Sequence, residues 1–282
     1  MERQFVTLAS GERLLVIFKQ LRRGAKASGN EREVLIYQRI LRGQRFGAPA
    51  LYASVYDEAQ DRYWLFLEDV GETPLNEGDV DEWLAGVRWL ASMHRAYFGC
   101  EEELKEFDCL EEHRTAYYRS LAEAARGNLE AASDRARLGR FDELMTRYDS
   151  VTAYLARQPR TLVHGDIYPD NLMLQSGPRI RPIDWEAAAI GSPEWDLTRL
   201  LDGWERKRPI LVAGYLAEFA QAREVPLDQR AFERTMEYCG ILNVLWHFGW
   251  EVEDCRDPAY VDGLLTELEA AYRRLDGDGS HG

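Results

Sequence analysis

Cysteine is scarce and scattered. Cys100, Cys109, Cys239 and Cys255 form no C-x-x-C pair, so neither a zinc site nor a disulfide framework is indicated, and free thiols are expected. No apolar run approaches the roughly 18 to 20 residues needed to cross a bilayer. Met1-Glu2-Arg3-Gln4 also lacks the charged-then-apolar pattern of a signal peptide. A cytoplasmic chain without membrane contact is the expectation. Cations are in deficit as well: 35 Lys and Arg stand against 49 Asp and Glu, a formal net charge of −14. Nucleic-acid binding draws most of its affinity from cations that neutralise phosphates, so it is disfavoured. Such a field attracts a cationic ligand, although an acidic surface serves solubility equally well.

The 282 residues, 45% hydrophobic and 11% aromatic, suffice for one large core or two moderate ones. Strand signals crowd the first 70 residues. Phe5-Val-Thr-Leu8, a Ser10-Gly-Glu12 turn and the apolar run Leu14-Leu-Val-Ile-Phe18, closed by Lys19, predict a hairpin. A Gly-containing segment, 24–30, leads into a helix over 31–41, where Val34, Tyr37 and Leu41 recur at helical spacing. Tyr52–Tyr56 and Tyr63–Leu67, split by a polar stretch, predict a second hairpin. After Gly71 the pattern turns to long amphipathic helices. The clearest begins with Asp79 as cap and Glu82 three residues on, and carries Trp83, Val87, Leu90 and His94 on one stripe. The reading is α+β: a small, mainly β lobe over 1–70, a helical lobe over 71–275, and a disordered tail over 276–282.

Val163 to Leu200 is the most informative stretch. It holds His164-Gly165-Asp166-Ile-Tyr-Pro-Asp-Asn171, then Ile183-Asp184-Trp185-Glu186, between short strand-like pieces at 161–163 and 179–183. Asn171 and Asp184, held on two loops rather than on one helix, can converge on one ion although thirteen residues apart. Read blandly, Asp166 and Asp170 form turns and Asn171 caps a helix.

This H-G-D-x4-N and I-D-W-E pairing resembles the catalytic and metal loops of the aminoglycoside phosphotransferase and choline kinase family, small-molecule relatives of protein kinases. The resemblance runs more weakly from about Phe5 to Tyr272. It implies a bilobal protein-kinase-like fold and transfer of the γ-phosphoryl group of ATP, with GTP the alternative donor, to a hydroxyl of a small molecule. By it, Asp166 is the catalytic carboxylate, and Asn171 and Asp184 are the Mg2+ ligands. Lys19 contacts the phosphates with Glu33 as its helix partner, and Glu68 and Val70 belong to a hinge that binds the base through main-chain groups. His164 and Asp196 brace the catalytic loop without touching the reacting atoms. The plain readings are a solvated strand end for Lys19 and capping boxes begun by Asn30 or Ser28 for Glu33 and Glu31.

Two departures from the family pattern bear on function. Ser10-Gly11 lies so close to Lys19 that it fits the turn between the family's second and third strands, leaving no room upstream for the first strand. Either the phosphates are less covered than usual, or Ala9-Ser-Gly-Glu12 is a shortened substitute, or the sequence starts late. Between Asp184 and Pro193 there is too little chain for the activation segment on which protein kinases dock peptides, so no protein substrate is expected. The acceptor site is expected around Trp204, Trp246, Trp250 and Glu251, where aromatic faces beside carboxylates suit an amine-bearing molecule such as an aminoglycoside or amino sugar. An aromatic stripe is also what a helix core looks like. The alternatives are a choline- or sugar-type metabolite kinase and a catalytically weak, regulatory nucleotide-binding protein. Oligomeric state is not legible in the sequence.

Overall fold

The structure, a computed structural model, describes residues 2–22, 30–43, 45–132, 135–175, 179–204, 206–221, 228–250 and 254–277. In chain order its first half contains β1 (Glu2–Thr7), β2 (Arg13–Arg22), α1 (Asn30–Leu35), β3 (Leu51–Asp57), β4 (Arg62–Glu68), α2 (Val80–Tyr97) and α3 (Glu101–Lys105). Then come β5 (Glu111–Glu112), α4 (Thr115–Ala132), α5 (Arg135–Met145) and α6 (Tyr148–Leu155). The second half contributes β6 (Thr161–Val163), β7 (Leu172–Gln175), β8 (Arg179–Pro182), β9 (Ala189–Gly191), α7 (Pro193–Leu200), α8 (Arg208–Phe219), α9 (Gln229–Trp250) and α10 (Pro258–Gly277). The fold is α+β, with a small sheet-rich N-terminal part and a larger helical part.

The chain forms two compact units. One comprises Met1–Glu111, Thr161–Ile190 and Gly203–Gln221; the other comprises Glu112–Arg160, Gly191–Asp202 and Ala222–Gly282.

Within the first unit, the two predicted hairpins assemble into an antiparallel sheet of order β1-β2-β4-β3. The turn between β1 and β2 is tight: Leu8 N donates to Glu12 O, Gly11 N donates to Leu8 O, and Gly11 sits at φ +85°. Lys19 is not at a strand end. β2 continues to Arg22, and Lys19 pairs with Leu65 of β4, because Gln20 and Leu21 keep their places in the ladder although the apolar run has stopped. The helix predicted over 31–41 is regular only to Leu35; 36–40 widen into a π turn that buries Ile36, Tyr37 and Ile40. The segment 24–29 and the tail 278–282 lie outside the described residues.

Asp79 caps α2 as its sequence requires. Its carboxylate accepts from the amides of Asp81 and Glu82 while Glu82 returns a bond to the Asp79 amide at 2.8 Å. A cap of this kind contributes about 1 kcal/mol. Trp83, Val87, Leu90 and His94 form the buried stripe, and α2 packs on α8, where Tyr215 Oη meets His94 Nδ1 at 2.7 Å. In the second unit, α4, α7, α9 and α10 enclose a core that includes Trp195, Ile241, Leu245, Phe248 and Leu268. No disulfide joins the four cysteines, and no described helix is long and apolar enough to cross a membrane.

Candidate active site

The chemistry-bearing loops of the first unit are tied together through Ile183. β7 and β8 form a hairpin that pairs Leu172 with Pro182. One step beyond, Ile183 N donates to Asn171 O at 2.9 Å, and His164 Nε2 lies 2.9 Å from Ile183 O. The carbonyl can only accept, so Nε2 carries the proton there. Ile183 is thus gripped by both ends of the stretch that contains Asp166, and the grip sets where Asp184 emerges. Asn171 Nδ2 donates to Asp166 O at 2.8 Å, which fixes the amide so that its oxygen is the atom left for a ligand. His164 is fully buried and stacks obliquely on Trp185, with ring centroids 4.6 Å apart.

Gly165 shows why the loop is written H-G-D. Its φ is +82°, and a Cβ at this position would lie 2.1 Å from Ala187 O, so both the backbone conformation and the close approach of the next loop demand glycine. Asp184 follows with φ 60° and ψ 61°, left-handed without being glycine. Such a residue costs of order 1–3 kcal/mol and persists where surrounding contacts over-determine it.

Those contacts come from Lys19. Its Nζ lies 2.8 Å from Glu33 Oε2 and 2.5 Å from Asp184 Oδ1, with Glu186 Oε2 at 3.6 Å. Burial works against the lysine's charge, but the Glu33 and Asp184 carboxylates outweigh it and hold the pKa above the ordinary lysine value. Glu33 is 1% exposed. Burial pushes its carboxyl up to about 7, against the pull of Lys19.

Beside this pair lies a cavity of about 330 Å³. Ile17, Lys19 and Leu67 of the sheet line it, as do Tyr37, Met173, Ile183, Asp184 and the segment from Glu68 to Glu72. Charged groups stand on it in two clusters, Lys19 with Glu33 and Asp184, and Arg3 with Asp69 and Glu72, between apolar side chains, a mixture compatible with a small-ligand site. Of the residues nominated from sequence, Lys19, Glu33, Glu68, Val70 and Asp184 are brought onto this one cavity. The Glu68 carboxylate is engaged within the protein: its Oε2 accepts from Arg181 Nη2 at 2.6 Å and from Ala50 N at 3.0 Å. The 8–12 turn is at the opposite end of the β1–β2 hairpin from the cavity, whose wall is instead built by Glu2 and Arg3 at the start of β1. Neither Arg3 nor Arg181 was nominated from sequence; their partners are 66 and 113 positions away, and nothing local marks them.

Asp196 is fully buried in α7 of the second unit. Trp204, in the first unit, packs on Trp83 with centroids 4.2 Å apart and carries Lys207 Nζ 4.5 Å from its own ring centre. Trp246, in the second unit, has the fully buried Arg199 guanidinium 3.9 Å from its ring centre. Next to it, Asp202 accepts from His247 Nε2 and Asn243 Nδ2, each at 3.0 Å. The His247 bond, helped by Asn243 and Arg199, holds the Asp202 carboxyl below the usual carboxylate range despite partial burial. The Trp250 side chain and Glu251 lie outside the described residues.

A sheet with an internal lysine–glutamate pair, over a cavity closed by an aspartate loop that is hydrogen-bonded to an H-G-D-x4-N loop, defines a kinase-like phosphotransferase. Three solved structures share the fold. An APH(2″) enzyme in complex with GDP and kanamycin superposes with a TM-score of 0.65 at 16% identity, over 96% of this chain and 93% of that one. Choline kinase from Cryptosporidium parvum Iowa II gives 0.63 at 15% identity, over 98% and 91%. The aminoglycoside phosphotransferase from Alicyclobacillus acidocaldarius gives 0.60 at 17% identity, over 100% and 93%. A search of curated protein sequences returns no match. The model of the phosphotransferase enzyme family matches residues 3–237, and the chain belongs to that family. It is, by that membership, a phosphotransferase.

Proposed function

We propose that the chain transfers the γ-phosphoryl group of ATP to a hydroxyl of an amine-bearing small molecule. The observation that carries the reading is the lysine that joins Glu33 to Asp184 on the wall of the cavity. In this reading the base and ribose occupy the cavity beside Leu67 and Val70, and Lys19 meets the phosphates. The acceptor oxygen forms a bond to the γ-phosphorus as the bond to the β,γ-bridging oxygen breaks. ADP leaves with that electron pair, and the hydroxyl proton passes to the Asp166 carboxylate.

Asp184 and the Asn171 amide oxygen are hard oxygen donors suited to Mg2+, which neutralises phosphate charge when bound. The Asn171 Nδ2 bond to Asp166 O supports that fit, since it leaves the amide oxygen as the available atom.

An amine-bearing acceptor is in keeping with the net charge of −14, whose field favours a cationic ligand. The ring faces of Trp204 and Trp246 already have protein cations beside them, Lys207 and Arg199, which favours carboxylates over cation–π contacts as the recognition device.

The test is release of nucleoside diphosphate from Mg-ATP and Mg-GTP across a panel of aminoglycosides, amino sugars and choline-like alcohols, with Asp166→Asn alongside. Acceptor-dependent turnover lost in the variant supports the reading. Turnover that survives Asp166→Asn, or an acceptor set confined to neutral sugars, sinks the corresponding part of it.

A further inference from the structure

The cavity wall at β1 belongs to a strand with little to hold it. Among the described residues β1 is an edge of the sheet and pairs with β2, through one six-residue ladder. Edge strands fray unless something else fastens them. Here the fastening is Arg3. Its Nε lies 2.6 Å from Asp69 Oδ2, its Nη2 lies 3.0 Å from Asp69 Oδ1 and 3.1 Å from Gly71 O, and Nη1 pairs with Glu72.

The segment on the other side is shaped to receive that guanidinium. Asp69 Oδ1 also accepts from Gly71 N at 3.0 Å, and Gly71 adopts φ +105°, so 69–71 close into a turn whose acceptors converge. The Asp69 side chain is 9% exposed and that of Arg3 32%, so solvent reaches the pair from the arginine side only in part, and the bidentate geometry is the strong form of the interaction. The residue before the turn is held as well, because Glu68 is bound by Arg181. Val70 therefore lies in a stretch fixed by one arginine at each end.

We propose that Arg3 is a positioning residue for nucleotide binding: it fastens the edge strand to Asp69–Glu72 across the cavity, and so holds in register the wall and the main-chain segment that face the base and ribose. This rests on the kinase reading. Arg3 acts through the strand and the turn, and it has no part in the chemical step.

The experiment measures Mg-ATP affinity of the full chain by calorimetry for the wild type, Arg3→Ala, Arg3→Lys, Asp69→Asn and the Arg3→Ala/Asp69→Asn double variant, with Tm recorded for each. Each single variant is expected to weaken Mg-ATP binding about tenfold, as breaking a half-buried charge pair does. The double variant should be no weaker than Arg3→Ala, because both changes remove one interaction. In Mg-ATP hydrolysis the loss should fall on KM, with kcat kept within about a factor of two, since binding and not the transition state is affected. Arg3→Lys, which keeps the charge but loses the fork, should fall with the alanine variant. Single variants that bind Mg-ATP as the wild type does, effects that add in the double variant, or a loss confined to kcat would overturn the proposal. A wild-type chain that binds no nucleotide would overturn the kinase reading and this one together.

Discussion

Lys19 Nζ and Asp184 Oδ1, 165 positions apart in the chain, stand 2.5 Å from one another, and the same ammonium holds Glu33 at 2.8 Å. A single cation so placed neutralises a buried helix carboxylate and steadies an aspartate in the left-handed region. Lys19→Ala leaves both without a counter-charge. We expect it to lower kcat/KM by at least about 100-fold, the scale of losing a charge that orients phosphates. The contribution of the lysine's own titration is complete below the ordinary lysine pKa and is lost as pH rises through the higher folded value, while Glu33, which burial pushes up to about 7, titrates around neutral pH. A variant that turns over within threefold of the wild type would remove Lys19 from the site.

Asp184 carries a second prediction. Mg-dependent nucleotide binding, followed by titration with Mg2+ at fixed ATP and reversed with EDTA, should be lost in Asp184→Asn. Asp166→Asn should keep nucleotide affinity within about a factor of three while abolishing transfer, because a base acts on the transition state and leaves ground-state binding largely untouched. Equal loss of nucleotide affinity in both variants would contradict the division of roles.

Gly165 has no tolerance for a side chain. Gly165→Ala must either move Ala187 or break the loop, and the combined steric and backbone cost is expected to exceed about 3 kcal/mol. Chemical denaturation checks this. A loss below 1 kcal/mol would mean that the two loops separate more readily than their contact implies.

The Glu68–Arg181 pair is structural in our reading. Arg181 is 5% exposed and also donates to Gly47 O and to Gln175 Oε1. Glu68→Ala strands that charge, which typically costs about 3–5 kcal/mol. Glu68→Ala with Arg181→Leu should recover a large part of the loss. If the double variant is no more stable than the single, the penalty does not come from the unpaired arginine.

Glu194 supplies a pH dependence. It is buried in α7 with the Ser192 hydroxyl as a side-chain partner, and burial raises its carboxyl from 4.5 to about 7 despite the Ser192 and backbone hydrogen bonds. The folded state thus binds the proton more tightly than the unfolded chain. The associated stability is fully present below pH 4.5 and is lost as pH rises through 7, amounting to about 3 kcal/mol at most. Glu194→Gln should flatten this part of the Tm profile between pH 5 and pH 8, a window taken to bracket that titration at roughly one pH unit beyond the folded value. An unchanged profile would show that Glu194 is ionised throughout.

The features that the sequence by itself determined are local ones. Apolar runs and turn formers wrote both hairpins. Asp79 and Glu82 wrote the start of α2, because capping needs only residues three apart. The H-G-D-x4-N and I-D-W-E stretches named the chemistry, because phosphoryl transfer asks for particular side chains at short spacing. The tertiary structure decided the rest. Lys19 became an internal strand residue through its register against Leu65. Gly165 became obligatory because the Ala187 carbonyl approaches it, and Arg3 found Asp69 through the fold. Each of these relations joins distant segments whose separation in space is set by sheet order and loop packing. No window of sequence contains both partners, so no local pattern could announce them.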